Sequence, residues 1–402
     1  GHSISIAHNK LGNYYCYFDG TSELLFCDND TNTPKLYAKE TPGYFKDGFH
    51  EAVINGQQQA VNPDQQGTKA CGHYTFMVPS NEKIEVRLRL SKKKHKQAFS
   101  DFDQIFARRL HEADAFYSQL QKELADDEVR MIQRQAFAGM IWSKQFYYYD
   151  IPQWQNGDPG QPKPSSERRK IRNTNWQHLN NADIISMPDK WEYPWYASWD
   201  LAFHCITLVV IDPTFAKSQI LLMTRVWYMH PNGQIPAYEW SFDDVNPPVH
   251  AWAAWEVYKA ERDANGGKGD LDFLERCMHK LIVNFTWWVN RKDVDNNNVF
   301  QGGFLGLDNI GVFDRSAPLP TGGHLDQADG TSWMAMYSLN LMRIALELSL
   351  HKNAYDDIAT KFFEHFLYIA EAMTHIGDNG IGLWNDNDEF FYDVLRYSGP
   401  RF

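Results

Sequence analysis

The segment from residue 189 to residue 200 carries the densest set of side chains that could perform acid–base chemistry. It reads Asp-Lys-Trp-Glu-Tyr-Pro-Trp-Tyr-Ala-Ser-Trp-Asp. Pro194 keeps the preceding chain extended and permits a helix after it, so Asp200 is predicted in the first helical turn. A carboxyl enclosed by neighbouring aromatic rings loses solvation, which raises its pKa toward the value that a general acid needs. The helix N-terminus favours the charged form instead, and a carboxyl here also suits a helix cap beside core tryptophans. The spacing of these residues does not decide whether Asp200 is a general acid or a helix cap.

Two later regions combine acids, amides, aromatics and turn residues in a similar way. In residues 228–250, Glu239, Asp243, Asp244 and Asn246 could bind hydroxyl groups of a ligand. Asp243, Asp244 or Asn246 could equally cap a helix that begins near residue 248. In the third region, residues 301–333, glycines allow the backbone to approach a ligand or simply form turns. The Gly-Gly-Phe-Leu-Gly run there lacks the ending and the preceding strand of a phosphate-binding loop.

Three histidines in these regions could be considered as metal ligands. His230, His250 and His324 show neither the helical i, i+4 spacing nor the finger spacing of a zinc site. Hydrogen-bonding or structural roles explain them better. We therefore predict no metal and no cofactor, and the chain also lacks the Gly-x-Ser-x-Gly elbow of serine hydrolases.

The aromatic content supports a ligand with flat, partly polar faces. Phe, Tyr and Trp make up 15% of the chain, and such rings pack cores but also stack on sugar rings. The number of aromatic residues does not show which of them pack in the core and which could stack on a sugar. Beside the acid candidate Asp200, the residues predicted to contact a carbohydrate are Trp191, Glu192, Trp195, Tyr196, Trp199, Tyr238, Glu239, Trp240, Asp244, Asn246, His250, Asp308, Asn309, His324, Asp329 and Trp333.

The elements that position these residues change in kind along the chain. Short aromatic and β-branched runs, and the period-two run 85–90, predict a β-rich, sandwich-like module over residues 1–98. A linker helix region over 99–126 and a helical domain over 127–402 follow. Within these regions, helices are predicted at 102–122, 128–149, 197–211, 214–229, 248–263, 270–291, 329–350 and 353–375. Paired helices with long polar loops, and no strand run after residue 197, favour an α/α toroid with its site at one end.

Composition limits the possible partners. The net charge is −12, which argues against nucleic acid because binding phosphates needs a basic surface. No stretch approaches the roughly 18 apolar residues of a membrane span. The five cysteines are scattered and odd in number, as is typical of free thiols in a reducing compartment, so we predict a cytoplasmic location.

Several long motifs resemble glycoside hydrolase family 63. The resemblance lies in residues 180–183, 191–200, 233–240, 244–251, 284–292 and 330–335. The sequence is most similar to members related to processing α-glucosidase and mannosylglycerate hydrolase. It implies an (α/α)6 barrel after a β-rich N-terminal region, and cleavage of α-glycosidic bonds with inversion. The family's general acid is the Asp of a Trp-Asp pair that opens a barrel helix, which corresponds to Asp200.

The chain departs from the family pattern where the second carboxylate is expected. In similar proteins the general base is a Glu in a Tyr-Glu-Tyr-Phe-like segment, and this sequence contains none. About seven helices after residue 125, against twelve in a full barrel, predict that the closing part of the barrel and the base lie beyond residue 402. Glu389 and Asp308 are weaker candidates for the base.

Three hypotheses therefore remain. The chain is an α-glucosidase or α-mannosidase acting on an oligosaccharide or a small glycoside; it binds carbohydrate without catalysis; or a second chain completes its barrel.

Overall fold

A computed structural model provides the structure of the chain. It describes residues 2–20, 23–171, 174, 176–188, 191, 196–237, 242, 245–291, 293, 296–300, 319–320, 322–376 and 382–396. The chain divides into two compact units, one of residues 1–119 with 159–162 and one of residues 120–158 with 163–402. The predicted domain boundaries at residues 98 and 126 stay predictions.

The first unit consists of short strands and helices. Its strands are β1 His2–His8, β2 Gly12–Phe18, β3 Glu23–Cys27, β4 Lys69–His73 and β5 Leu88–Ser91. Its helices are α1 Thr33–Tyr37, α2 Gly48–Val53 and α3 Phe102–Leu120, the last of which ends at the border of the unit. Antiparallel pairing joins β1, β2 and β5 in one sheet and β3 with β4 in another. The predicted strands are thus present in outline, while a sandwich-like arrangement stays a prediction.

One of the short aromatic and β-branched runs that predicted strands, residues 73–78, does not form a strand along its length. The run 73–78 is strand only at His73, where β4 ends. Phe76, Met77 and Val78 are exposed, and the ring of Phe76 stacks on that of its near neighbour Tyr74, with centroids 5.6 Å apart.

The second unit is mainly helical, as predicted. Its helices are α4 Asp127–Trp142, α5 Ile151–Asn156, α6 Ser198–Ile211, α7 Pro213–Met223, α8 His250–Ala264, α9 Leu271–Val289, α10 Ala328–Ser349 and α11 Asp356–Thr374. Its strands are β6 Lys144–Asp150, β7 Asn180–Ser186, β8 His324–Asp326, β9 Trp384–Asn385, β10 Phe390–Phe391 and β11 Val394–Arg396. Within the described residues no helix is long and apolar enough to cross a membrane. All five cysteines are free thiols.

Aspartate caps define where several of these helices begin. Asp126 accepts hydrogen bonds from two backbone N–H groups of α4, Asp212 from Phe215 of α7, and Asp270 from Phe273 of α9. Each carboxylate satisfies a donor that the first helical turn leaves unpaired. For these three helices the predicted starts, residues 128, 214 and 270, agree with the observed ones to within one residue.

The predicted helix 128–149 is wrong in its second half. Helix α4 ends at Trp142, and the chain continues as β6, paired antiparallel with β7 so that Phe146 lies opposite Ile184. A run of four aromatic residues favours a strand once a partner strand is present. The partner strand β7 lies in the region 151–190, where the sequence shows no clear periodicity and therefore did not indicate a strand. Similarly, the helix predicted over 214–229 ends at Met223 and is followed by turns.

One large hydrophobic cluster includes residues of every helix from α6 to α11. The ring of Phe285 on α9 contacts Tyr337 on α10 and Phe362 on α11 edge to face, with centroid distances of 5.5 and 5.0 Å. Lys217 on α7 lies 2.7 Å from the carboxylates of both Glu261 and Asp270, which ties α7 to α8 and to the start of α9. These contacts hold the helices whose ends form the candidate site.

Candidate active site

Asp200 lies in the first turn of α6, as predicted. The turn is anchored by Ser198, whose N–H donates to the carbonyl of Ala237 (3.1 Å) and whose hydroxyl donates to the carbonyl of Pro236 (2.9 Å). These bonds satisfy donors at the start of the helix in place of a side-chain cap, since the N-cap residue is Ala197. The loop before α8 therefore fixes the position of Asp200.

That loop is itself held by the core. Asn284 on α9 donates to the carbonyl of Gly233 (2.7 Å) and accepts from the hydroxyl of Tyr337 (2.9 Å). Gly233 has φ of +98°, and a Cβ added to it would lie 2.4 Å from the carbonyl oxygen of Val283. Only glycine fits this close approach of loop to helix.

The starts of three helices lie at the same end of the second unit. Residues at the starts of α6 and α8 line one small cavity with Asn284 and Trp288, near the end of α9. The chain leaving α9 then meets the first turn of α10, where the N–H of Phe300 donates to the hydroxyl of Thr331 (3.0 Å). Helix N-termini carry partial positive charge, so this end of the unit favours ligands with oxygen lone pairs.

The environment of Asp200 favours its protonated form. Partial burial raises the pKa of its carboxyl, and two smaller effects oppose this, a hydrogen bond to its own backbone N–H and the nearby ring of His204. A raised pKa brings a carboxyl closer to the value that a general acid needs. The geometry therefore suits a general acid.

His204 was not identified from the sequence. Burial lowers the pKa of its imidazole, and its Nδ1 lies 3.1 Å from the hydroxyl of Ser186 on β7. Its spacing of four residues from Asp200 on a helix was a signal that could have identified it.

The structure brings some of the predicted ligand-contacting residues together and separates others. Asn246, in the loop before α8, and His250, the first residue of α8, lie beside Ser198 of α6. Asp329 and Trp333 lie in the first two turns of α10, and His324 is the first residue of β8, the strand that precedes this helix. Trp199 is half-buried against the core, with its ring edge to face with Phe203. Outside the described residues lie Glu192, Trp195, Tyr238, Glu239, Trp240, Asp244, Asp308 and Asn309.

Two of the aromatic residues predicted to contact a carbohydrate, Tyr196 and Trp191, differ strongly in their exposure to solvent. Tyr196 is fully buried, with its ring edge to face with those of Tyr147 and Tyr228. Trp191 is 85% exposed. Contact of either ring with a carbohydrate stays a prediction, as does the ligand-binding role of the other residues in the set.

A buried ion pair near the start of α10 was not predicted from the sequence. Strand β8 pairs with β11, which places Asp326 against Arg396 in a salt bridge. Burial raises the pKa of the Asp326 carboxyl against the opposing effect of the arginine. Asp393 accepts from the N–H of Ala328, the first residue of α10 (2.8 Å). Residues from the end of the chain thus hold the start of this helix.

His250 gives the stability of the chain a pH dependence. Burial lowers the pKa of its ring to about 4, whereas an unfolded chain protonates histidine near pH 6.5. Between these values the unfolded state binds a proton that the folded state does not, so the free energy of unfolding falls as the pH falls. We expect His250 to lower the free energy of unfolding by about 3 kcal/mol as the pH falls from 7 to 4.

Chemical denaturation at a series of pH values tests this expectation. His250→Gln should flatten the dependence of stability on pH between 4 and 6.5. The matched control His279→Gln, on a histidine bonded to Tyr355, should keep the wild-type slope. An unchanged slope in His250→Gln would show that the ring protonates freely in the folded chain.

Comparison with known proteins identifies a matching segment that contains helices α6 to α9. Residues 193–309 match the family model of the mannosylglycerate hydrolase MGH1-like glycoside hydrolase domain. This match includes Asp200 and the loop before α8, and it confirms the resemblance inferred from the motifs.

Individual relatives extend over more of the chain. The chain is 48% identical over 444 residues to the uncharacterized protein YMR196W of Saccharomyces cerevisiae, in an alignment that covers 99% of this chain and 41% of that protein. Two structures from Thermus thermophilus, an uncharacterized conserved protein and a GH63 mannosylglycerate hydrolase in complex with glucose, are each 14% identical to it. Each similarity covers 52% of this chain and 62% of that structure, with a TM-score of 0.40. The chain thus spans about two fifths of the yeast protein and less than two thirds of either bacterial chain.

Proposed function

We propose that this chain, whose residues 193–309 match a glycoside hydrolase domain, carries the general acid of a glycosidase that cleaves α-glycosidic bonds with inversion. The observation that supports this most strongly is the carboxyl of Asp200. It lies in the first turn of a helix within the matched segment, partly buried and with a raised pKa. A group in this state can protonate the oxygen that leaves with the aglycone.

An α/α toroid is the architecture that we propose for the helical region. Helices α6, α8 and α10 begin at one end of the unit, α6 packs against α7 and α8, and α10 packs against α8, α9 and α11. Helices α6, α8 and α10 thus run in one direction and α9 runs in the opposite one, and this alternation of successive helices is the pattern that an α/α barrel repeats. Its loops would then gather at the end where Asp200 lies.

The proposed mechanism needs a second carboxylate. In an inverting enzyme a carboxylate roughly 6.5–9.5 Å from the acid activates water on the opposite face of the sugar. Of the two weaker candidates from the sequence, Glu389 is exposed in the turn between β9 and β10, and Asp308 lies outside the described residues. We assign the base to neither of them.

The substrate class that we propose is an α-glucoside or α-mannoside. The description of the matching domain names mannosylglycerate hydrolase, which makes a small α-mannoside the first compound to test beside α-linked gluco-oligosaccharides. Acid–base hydrolysis by two carboxyl groups uses neither metal nor cofactor. The cytoplasmic location stays a prediction.

Binding without catalysis is the second candidate function, because no base is assigned opposite Asp200. Calorimetric titration with α-glucosides and α-mannosides, alongside assays for released sugar, separates the two functions. Release of sugar with turnover supports the proposed glycosidase. Saturable binding without any release would replace it with a carbohydrate-binding function.

A further inference from the structure

A cavity in the first unit lies beside its three-stranded sheet, at the turn that precedes α3. Its volume is about 480 Å³, and residues at the start of β1, at the end of β2 and over 95–100 line it. Pockets for small ligands usually measure about 300–1,000 Å³. The cavity therefore has room for a small molecule, and the proposed glycoside hydrolysis does not use it.

The turn brings several unpaired backbone donors to this cavity. Within the described residues, the N–H groups of residues 96–99 donate to no acceptor in the protein. Each such group needs a partner from outside the protein, either water or a ligand. Successive N–H groups around a concave surface form a site that favours anions, because each of them carries partial positive charge.

The turn is held in place by the sheet. The N–H of His95 donates to the hydroxyl of Tyr17 on β2 (2.7 Å), and the two rings lie edge to face with centroids 5.9 Å apart. Nε2 of His95 also lies 3.0 Å from the hydroxyl of Ser91, the last residue of β5. Because Tyr17 is buried, these contacts fix one wall of the cavity before any ligand binds.

The charges around the cavity favour an anion. Lys96 lines it and belongs to the basic run Lys-Lys-Lys-His-Lys at residues 92–96, in a chain with a net charge of −12. Within the part of the chain that the structure describes, Lys96 forms no salt bridge. Asp19 is the acid among the lining residues, and its carboxylate accepts from the N–H of Gly20 (3.0 Å). The ammonium group of Lys96 is thus available to a ligand, and the basic run adds positive charge around it.

We propose that this cavity binds a phosphorylated small molecule, whose phosphate group accepts from the N–H groups of residues 96–99 and from the ammonium group of Lys96. A phosphate carries negative charge on several strong acceptor oxygens, so it can accept from several donors at once. The remaining volume holds the uncharged part of the ester. A concave site in an acidic chain suits a small ester better than a nucleic acid, which needs an extended basic surface.

Nuclear magnetic resonance of the whole chain, labelled with nitrogen-15 and deuterium, tests this site. Glucose 6-phosphate, inorganic phosphate and acetate are added separately at constant ionic strength. We expect saturable shifts of the amide signals of residues 96–99 with the sugar phosphate, weaker binding of inorganic phosphate, and no saturable shift with acetate. Equal affinity for inorganic phosphate would contradict the ester, and equal affinity for acetate would contradict recognition of a phosphate group.

Two lysine variants separate a built site from a charged surface. Lys96→Gln should weaken binding of the sugar phosphate about 10–100-fold, the usual effect of losing a hydrogen bond to a charged group. Lys93→Gln removes the same charge from the same run at a residue that does not line the cavity, and it should weaken binding less than about threefold. Both side chains are exposed, so both variants should fold. Equal losses in the two variants, or shifts spread over the whole run without saturation, would overturn the proposal.

Discussion

Replacing Asp200 with asparagine is expected to lower the rate of glycoside hydrolysis by about 10²–10⁴-fold, the usual contribution of a general acid or base. Asparagine has nearly the same size and retains hydrogen-bonding capacity, but it has no proton of suitable acidity to give to the leaving oxygen. The partly buried setting of Asp200 in the first turn of α6 makes its protonation state the property that matters. Measurement of kcat and KM separately should show the loss in kcat, with KM little changed.

A matched surface variant controls for this experiment. Asp263→Asn removes a carboxylate that is largely exposed near the end of α8 and pairs with Arg262, so it should keep wild-type kcat. Circular dichroism and thermal melting should show that both variants fold. Wild-type turnover by Asp200→Asn would remove Asp200 from the catalytic role.

Replacing Gly233 with alanine is expected to destabilise the chain by about 2–5 kcal/mol, the sum of a steric and a conformational cost. A Cβ at this position would lie 2.4 Å from the carbonyl oxygen of Val283, and the backbone has φ of +98°. Overpacking typically costs about 1–3 kcal/mol and the unfavourable backbone conformation about 1–2 kcal/mol. The loop must then move away from α9, and it would take with it the carbonyls of Pro236 and Ala237 that anchor Ser198.

Gly266 offers a control for the backbone contribution. It also has positive φ, at +64°, but a Cβ there would meet nothing within 4 Å. Gly266→Ala should therefore cost only the conformational part, about 1–2 kcal/mol. Urea denaturation of both variants gives the difference, and equal losses would show that the loop accommodates a methyl group beside α9.

The sequence predicted the helical framework because local signals specify it. Asp126, Asp212 and Asp270 begin helices that also show clear apolar periodicity, and the structure confirms α4, α7 and α9 at those positions. Strand β6 was missed because its aromatic run fits either element until its partner is known. That partner, β7, lies some thirty residues later along the chain. Pairing over such a separation depends on tertiary structure, which periodicity does not report.

Part of the candidate site was also predicted, again where local sequence signals specify the structure. Pro194 and the residues after it correctly placed Asp200 in a first helical turn. The contacts that define its environment were not predictable, because Ser186, His204 and the carbonyls of the loop before α8 meet only in the folded chain. The salt bridge between Asp326 and Arg396 was missed for a similar reason, since it depends on the pairing of β8 with β11.

The configuration of the first sugar released from an α-glycoside tests the central claim most directly. Proton nuclear magnetic resonance during the first minutes of hydrolysis, before the free sugar equilibrates, distinguishes the two anomers. An inverting enzyme with Asp200 as its acid releases the β-anomer from α-mannosides or α-glucosides. Initial release of the α-anomer would show retention of configuration and would contradict the proposed mechanism.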